Sequence, residues 1–174
     1  KNDFLDIFLM GTSYFNLVSD VGLKDVSYVY NIPYCFVNCP FPKITPNWKS
    51  KSIFIYKKFK SKSLKRNLTF SEIKNNMDIS TIKKKNIKKF IDYNAVFFFN
   101  DNPDITIVDN SSEEILDAVK EMIERLEKDL WDEKLNKYER KFWEIFPHDN
   151  NLHSKITRAR ICQKFIQENI ELLD

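Results

Sequence analysis

Apolar and polar residues over the first forty positions follow the order of a helix, a strand, a second helix and a second strand. Residues 3–10 carry apolar side chains at helical spacing, and Gly11 is expected to end that helix in a left-handed conformation. Strands are predicted at 14–18 and 34–38, with a helix at 23–31 between them. This order predicts a parallel β-α-β unit with a right-handed crossover.

After residue 68 the chain is predicted to be mainly helical, and two of its helices begin with a capping box. Thr69 and Glu72 have the spacing of a capping box, in which each side chain bonds the other residue's backbone. Ser111 and Glu114 have the same spacing, and they open the clearest amphipathic helix of the chain. Further helices are predicted at 78–90, 132–146 and 153–173, a strand at 52–56, and extended segments at 95–99 and 105–108 around a turn.

These elements predict a single α/β domain over residues 1–174. We expect a small, mostly parallel, Rossmann-like sheet flanked by helices, with the C-terminal helices packing back across it. A length of 174 residues suits one core. The composition agrees with a packed domain, because 43% of the residues are hydrophobic and the chain holds 15 Phe and 7 Tyr.

The cysteines and histidines indicate whether the chain can form a metal site and in which cellular compartment it is expected. Cys35, Cys39 and Cys162 are expected to be small buried thiols of a cytoplasmic protein, because their number is odd and only the first two lie close in sequence. A zinc site needs four ligands at recognisable spacing, and only His148 and His153 are available, on a different segment. We therefore expect no metal site. We assign no general base, since both histidines lie near a predicted helix–helix connection.

Positive charge is concentrated in one stretch of the chain. The net charge is +3, but residues 49–89 hold 14 Lys and Arg against 2 acidic residues. Such a stretch can meet nucleic acid, anionic lipid head groups or a phosphorylated ligand. No run approaches the roughly 18 apolar residues of a membrane span, so we expect membrane contact, if there is any, to be peripheral.

The segment Ser19-Asp20-Val21-Gly22-Leu23 is the strongest candidate for chemistry, because it joins a predicted strand to the start of a predicted helix. Helix N-termini expose unpaired N–H groups and carry partial positive charge, so they bind phosphates. Gly22 would let the backbone approach a phosphate closely. The turn taken alone is compatible with a purely structural role, and the chain has neither a GxGxxG fingerprint nor a P-loop.

This segment and its flanks resemble the C-terminal domain of GT-B glycosyltransferases. In that pattern a helix precedes a strand ending in a D-S/T-G-L turn, and a second helix leads to N-K-P-V at the next strand. Here the two motifs read Asp20-Val21-Gly22-Leu23 and Asn31-Ile32-Pro33-Tyr34. Val21 replaces the usual hydroxyl residue, so a side-chain bond to phosphate is lost there, whereas backbone contacts at Gly22 and Leu23 remain.

Later segments are similar to a bacterial glycosyltransferase family of surface polysaccharide biosynthesis. That family has, in order, a proline-rich loop, a Lys-Lys strand, an L-T-x-x-E-I motif and an N-S/T-x-E-E-I helix. The corresponding segments here are residues 40–48, Lys57-Lys58, 68–73 and 110–115. The resemblance therefore spans most of the chain, although each motif is short.

The resemblance implies an enzyme that transfers a sugar from a nucleotide-sugar donor to a glycan or lipid-linked acceptor, with no metal and no other cofactor. It also implies that a catalytic base belongs to an N-terminal acceptor domain, which is not evident here, so we expect a fragment. The donor-binding residues carried over by position are Ser19, Asp20, Gly22, Leu23, Lys57, Lys58, Glu113, Glu114, Arg158 and Arg160. Each group also has an alternative role that stays open. The glutamates are also suited to capping a helix, the lysines to lying on a solvated surface, and the arginines to pairing with acidic residues.

Two other functions also stay open. Residues 49–89 interleave lysines with aromatic residues, a mixture that suits backbone neutralisation and base stacking in nucleic-acid binding, although no nucleic-acid motif is present. The aromatic residues of that stretch are Phe54, Tyr56, Phe59 and Phe70. In the third hypothesis, a non-catalytic interaction domain, the helix that Ser111 opens docks a partner protein.

Overall fold

The computed structural model describes residues 3–19, 24–40, 51–83, 99–100, 102–131, 133–146 and 159–174. These residues form a four-stranded parallel sheet flanked by helices and a smaller three-stranded antiparallel sheet. The helices are α1 (Asp3–Thr12), α2 (Lys24–Val29), α3 (Phe70–Lys83), α4 (Ser112–Glu127), α5 (Lys137–Ile145) and α6 (Gln163–Glu168), followed by a 3₁₀ turn (Ile170–Leu173). The strands are β1 (Asn16–Val18), β2 (Tyr34–Cys39), β3 (Ser52–Tyr56), β4 (Lys58–Ser61), β5 (Arg66–Asn67), β6 (Ile105–Val108) and β7 (Ala159–Ile161).

The larger sheet has the strand order β1-β2-β3-β7, and every neighbouring pair is parallel. Tyr34 is level with Asn16 on one side and with Ser52 on the other, and Ser52 is level with Ala159. The four strands therefore start at one edge of the sheet and finish at the opposite edge, which we call the carboxyl edge. The β1–α2–β2 segment is the parallel unit that the hydrophobic pattern predicts.

The core lies on both faces of β3, which is buried along its whole length. Because side chains alternate along a strand, Phe54 and Tyr56 face one side, where both pack against Phe142 of α5. Ile53 faces the other side with Cys35, its neighbour in β2, and α4 packs against both strands. A strand covered on both faces needs apolar residues at nearly every position, which explains the sequence of β3.

The three cysteines are buried thiols that form no disulfide with one another, as predicted. Burial raises the pKa of the Cys35 thiol to about 12, and the nearby Glu121 carboxylate adds to the effect. The pKa of the Cys162 thiol is raised for the same two reasons, burial first. Both thiols therefore stay protonated near neutral pH and pack as small apolar groups.

The antiparallel sheet, of order β5-β4-β6, was predicted only in its strand β6. Lys57 alone separates β3 from β4, and β4 pairs with β6 so that Phe59 is level with Ile107. In β4 lysines alternate with the buried Phe59 and Ser61. That is a strand pattern, but over four residues it does not stand out from a lysine-rich surface.

The predicted end of α1 at Gly11 is wrong, because the helix continues to Thr12. A side chain at Gly11 would meet the ring of Tyr30 at 3.4 Å. Gly11 thus lies within the helix, without a left-handed conformation, and faces Tyr30 directly after α2.

Two predicted C-terminal helices also differ from the structure. The helix predicted at 153–173 is wrong in type at residues 159–161, which form β7 because pairing with β3 places them in the core. The helix predicted from residue 132 begins at Lys137, because Asn136 caps it together with Glu139.

Phe99, the last residue of the extended segment predicted at 95–99, is helical instead of extended. Residues 84–90 and 95–98 of two predicted elements lie outside the described residues.

The predicted capping box at the start of α3 is confirmed. The backbone N–H of Glu72 donates to the Thr69 hydroxyl at 3.1 Å, and the backbone N–H of Thr69 donates to the Glu72 carboxylate at 2.8 Å. Arg66 adds two hydrogen bonds to the same carboxylate, at 2.8 and 2.7 Å. These bonds, Arg66 first, lower the pKa of Glu72 from 4.5 to about 2.

We expect this cap to weaken in acid. Because the pKa of Glu72 is lower in the folded state, its stabilisation is present above about pH 4.5 and is lost as the pH falls towards 2. The loss should be about 0.5–1 kcal/mol, since solvent screens a pair this exposed. Urea unfolding of the wild type and Glu72→Gln should give different free energies at pH 6, and the difference should shrink steadily as the pH falls to 2 and below. A constant difference across that range would contradict the assignment.

Helix α1 presents a large apolar surface to solvent. None of its residues is buried, and Phe4 is 72% exposed. Phe4 and Phe8 stack on each other, and Leu5, Ile7 and Leu9 are exposed beside them. We call these five residues the α1 surface. Apolar patches of this kind on soluble domains mark places where another molecule binds.

Candidate functional site

Polar residues from several elements meet at the carboxyl edge of the parallel sheet. Ser19 follows β1, Asn38 is the last residue but one of β2, and Lys57 follows β3. Lys24 begins α2, and Asp109 follows β6 next to the start of α4. We call these five residues the carboxyl-edge site. Open α/β sheets bind ligands at this edge, because loops and helix N-termini converge there.

The two lysines that the resemblance singled out have different surroundings. Lys57 forms an ion pair with Asp109, whose side chain is 67% exposed. Lys58 forms a 2.7 Å ion pair with Glu114, and both side chains are largely buried. Lys57 can therefore share its charge with a ligand by displacing an exposed carboxylate, whereas Lys58 is held by a buried one.

Glu114 acts mainly within the fold. One carboxylate oxygen accepts the backbone N–H of Ser111 at 2.9 Å and completes the capping box of α4, as predicted. The other oxygen accepts from Lys58 and, at 3.2 Å, from the amide of Asn169. Because both oxygens accept hydrogen bonds within the protein and the side chain is buried, Glu114 is poorly placed to bind the hydroxyl groups of a ribose.

Glu113 is exposed at the same helix start. Its own backbone N–H and the Ser111 hydroxyl hold the pKa of Glu113 below its ordinary value. The carboxylate is therefore turned back onto the N-terminus of α4, where the helix dipole favours negative charge. An anionic ligand at this helix end would have to displace it.

A pair of asparagines fixes the backbone at the carboxyl edge. The backbone N–H of Asn38 donates to the Asn110 side-chain oxygen at 2.6 Å, and the backbone N–H of Asn110 donates to the Asn38 side-chain oxygen at 2.7 Å. The Asn110 amide also donates to the Tyr56 carbonyl at 2.8 Å. Asn38 has a left-handed φ of 52°, and the register of β2 shifts there. The asparagine pair thus joins the ends of β2 and β3 to the start of α4.

Replacing Asn110 with aspartate should destabilise the protein by about 2 kcal/mol. The aspartate keeps the acceptor for Asn38 but points an oxygen at the Tyr56 carbonyl, so a buried acceptor loses its donor. Asn102→Asp is the matched control, because Asn102 is exposed and the bond that its side chain makes to the backbone N–H of Asp104 uses the oxygen that aspartate keeps. Urea unfolding measures both variants. Equal losses would show that Asn110 has no special role.

Lys24 belongs to the carboxyl-edge site, but the sequence reasoning missed it. Its position at the start of α2 places its backbone at this edge, and its ammonium lies 5.7 Å from the centre of the ring of Phe36 in β2, a cation–π contact. The available signal was its position directly after the Asp20–Leu23 turn. Asn38 and Asn110 carried no such signal, because each depends on a partner 72 residues away.

The structure describes only one of the five remaining predicted residues. Asp20, Gly22, Leu23 and Arg158 lie outside the described residues. Arg160 is on β7, where its guanidinium donates to the Trp131 carbonyl at 2.9 Å and lies 3.4 Å from the Glu139 carboxylate. Those partners follow the C-terminal end of α4, whereas the carboxyl-edge site lies at the N-terminal end of α4.

Comparison with protein families, curated proteins and solved structures finds no match for this chain. In the described part of the chain, no three His, Cys, Asp or Glu side chains are arranged to hold a metal ion. None of the described helices combines the length and the apolar character needed to cross a bilayer.

Proposed function

We propose that this chain is the donor-binding part of a GT-B-type glycosyltransferase, which transfers a sugar from a nucleotide-sugar to a glycan or lipid-linked acceptor. The observation that carries the proposal is the parallel β1–α2–β2 unit, with Ser19, Lys24 and Lys57 at its carboxyl edge. This is the edge at which sheets of this class bind nucleotides. The motif resemblance adds the sugar-transfer chemistry.

In this proposal the two lysines act on the leaving group. Transfer breaks the bond between the anomeric carbon and a diphosphate oxygen, and the acceptor hydroxyl oxygen forms the new bond to that carbon. Negative charge grows on the departing diphosphate, and fixed cations that meet this charge lower the barrier. Lys24 and Lys57 supply such cations without a metal, and we assign the base that takes the acceptor proton to a partner domain.

The surroundings of the aromatic residues weigh against nucleic-acid binding. Phe54, Tyr56, Phe59 and Phe70 are all buried in the core. Base stacking needs exposed rings, so these four residues cannot provide it. The basic stretch then has only its surface lysines to offer, which favours a phosphorylated ligand or a peripheral anionic membrane.

The alternative in which α4 docks a partner also loses support. Met122 on its apolar face is fully buried, and Ile115, Val119 and Leu126 pack against the same core. The α1 surface is an exposed apolar region, and we propose that it contacts the N-terminal acceptor domain. Docking of that domain would remove Phe4 and Phe8 from water.

Melting temperatures with UDP, GDP, ADP and CMP test the proposal. A specific nucleotide at a hundredfold excess over its Kd stabilises by about 2.7 kcal/mol, which raises the Tm of a domain this size by roughly 5–10 °C. We expect one nucleotide to do so, and Gly22→Val and Lys57→Ala to reduce the shift. Lys120→Ala, an exposed lysine on α4, is the control. Equal shifts in all variants, or no shift with any nucleotide, would overturn the proposal.

A further inference from the structure

A polar cavity of about 400 Å³ lies beside β7. The described residues that line it all have polar or charged side chains, among them Arg125, Glu133, Lys134, Glu139 and Arg160. Ligand pockets of roughly 300–1,000 Å³ are usually lined mostly by apolar groups. A wall without apolar side chains selects a ligand that is charged or rich in hydroxyl groups.

Arg160 is buried in this wall with donor capacity to spare. One terminal nitrogen donates to the carbonyl oxygens of Trp131 and Glu133, which fixes the guanidinium in place. Its other terminal nitrogen lies 3.4–3.5 Å from the Glu139 carboxylate. Tight charge-assisted bonds are about 2.7–2.9 Å long. Glu139 also accepts the backbone N–H of Asn136 at 3.0 Å, so its ion pair with Arg160 is a long one in which the carboxylate is shared.

Arg125 faces the same cavity and is equally buried. Its Nε donates to Glu121 at 2.9 Å, and one terminal nitrogen donates to the Leu130 carbonyl at 2.9 Å. Glu133 is 3.7 Å from that nitrogen, beyond hydrogen-bond length, and its side chain is 55% exposed. The second terminal nitrogen of Arg125 donates to no described residue. A guanidinium has five N–H donors, so both arginines can receive an anion.

The charge of the lining agrees with an anionic ligand. Three lining residues are cationic and two are carboxylates, and Glu133 is exposed enough to move aside. The backbone carbonyls of residues 130, 131 and 133 hold the two guanidiniums in position before any ligand binds. Such preorganisation lowers the entropic cost of binding.

We propose that this cavity binds a small phosphorylated, hydroxyl-rich molecule, with its phosphate on Arg125 and Arg160. The polar side chains of Asn136 and Glu139 then meet the hydroxyl groups. This site is separate from the carboxyl-edge site, because the two lie at opposite ends of α4. That helix has 16 residues, so it separates them by about 24 Å at a rise of 1.5 Å per residue.

Calorimetric titration with glucose 6-phosphate, inorganic phosphate and glucose tests the proposal. We expect glucose 6-phosphate to bind more tightly than inorganic phosphate, and glucose to give no signal. Equal binding of the ester and inorganic phosphate would overturn the assignment of a hydroxyl-rich ligand. No binding of either would overturn the phosphate site itself.

Two lining residues, Glu133 and Lys134, are exposed, so variants at these positions should fold normally. Glu133→Gln removes a carboxylate that competes with the ligand, and we expect it to bind glucose 6-phosphate about fivefold more tightly. Lys134→Ala removes a cation, and we expect it to bind glucose 6-phosphate about fivefold more weakly. Lys120→Ala and Lys57→Ala, which lie outside the cavity, should leave the affinity unchanged. The cavity assignment would be contradicted if Glu133→Gln and Lys134→Ala left the affinity for glucose 6-phosphate unchanged, or if Lys57→Ala lowered it.

Discussion

Replacing Phe142 with alanine is expected to lower the free energy of unfolding by about 3–5 kcal/mol. Phe142 is fully buried on α5, and its ring contacts those of Phe54 and Tyr56 in β3 and Phe70 in α3. It also contacts the ring of Phe146, the residue that directly follows α5. Truncation therefore opens a cavity among four rings, which are held by β3, α3 and the end of α5 and cannot all collapse into it.

Urea unfolding followed by fluorescence measures this loss, and Phe4→Ala is the matched control. Phe4 is the same residue type but is 72% exposed, so its truncation should change the stability by less than about 0.5 kcal/mol. A domain of this kind has a total stability of about 5–15 kcal/mol, so Phe142→Ala alone removes a large part of it. Similar losses for the two variants would contradict the assigned core.

Replacing Glu114 with alanine is expected to cost about 3–5 kcal/mol. The change removes the carboxylate partner of the buried Lys58 ammonium and the acceptor for the backbone N–H of Ser111. Breaking a buried ion pair by removing one partner leaves an uncompensated charge, which is the larger effect. Loss of the helix cap adds about 1 kcal/mol at most.

The adjacent residue gives a close control for Glu114. Glu113→Ala removes an identical carboxylate from the same helix turn, but that side chain is exposed and has no buried cation, so we expect little change in stability. Thermal unfolding of the two variants side by side makes the comparison. If Lys58→Met in addition to Glu114→Ala restores most of the stability, the buried charge is the cause. Failure of that rescue would point to the cap instead.

Much of the fold could be predicted from local patterns. The apolar runs in β2 and β3 and the capping boxes at Thr69 and Ser111 are signals within a few residues, and these two strands and the two capped helices are present. β7 could not be predicted in this way. It has three residues, with the buried Arg160 at its centre, and it becomes a strand only because β3 lies beside it.

The candidate site was predicted in part. Ser19 and Lys57 were identified from motif positions, and they do lie at the carboxyl edge. The same motifs included Lys58, Glu114 and Arg160, whose bonds within the protein depend on partners distant in sequence. Sequence position alone cannot separate a cation that faces a ligand from one that neutralises a buried acid.

The measurement that tests the central claim most directly is an NMR titration of the isotope-labelled chain with UDP and GDP. The account predicts that the backbone amide signals of Ser19, Lys24, Asn38 and Lys57 shift together and saturate with one Kd. Signals of two exposed lysines, Lys60 in β4 and Lys62 directly after it, should not move. Shifts confined to those lysines, or no shifts at all, would contradict a donor site at the carboxyl edge.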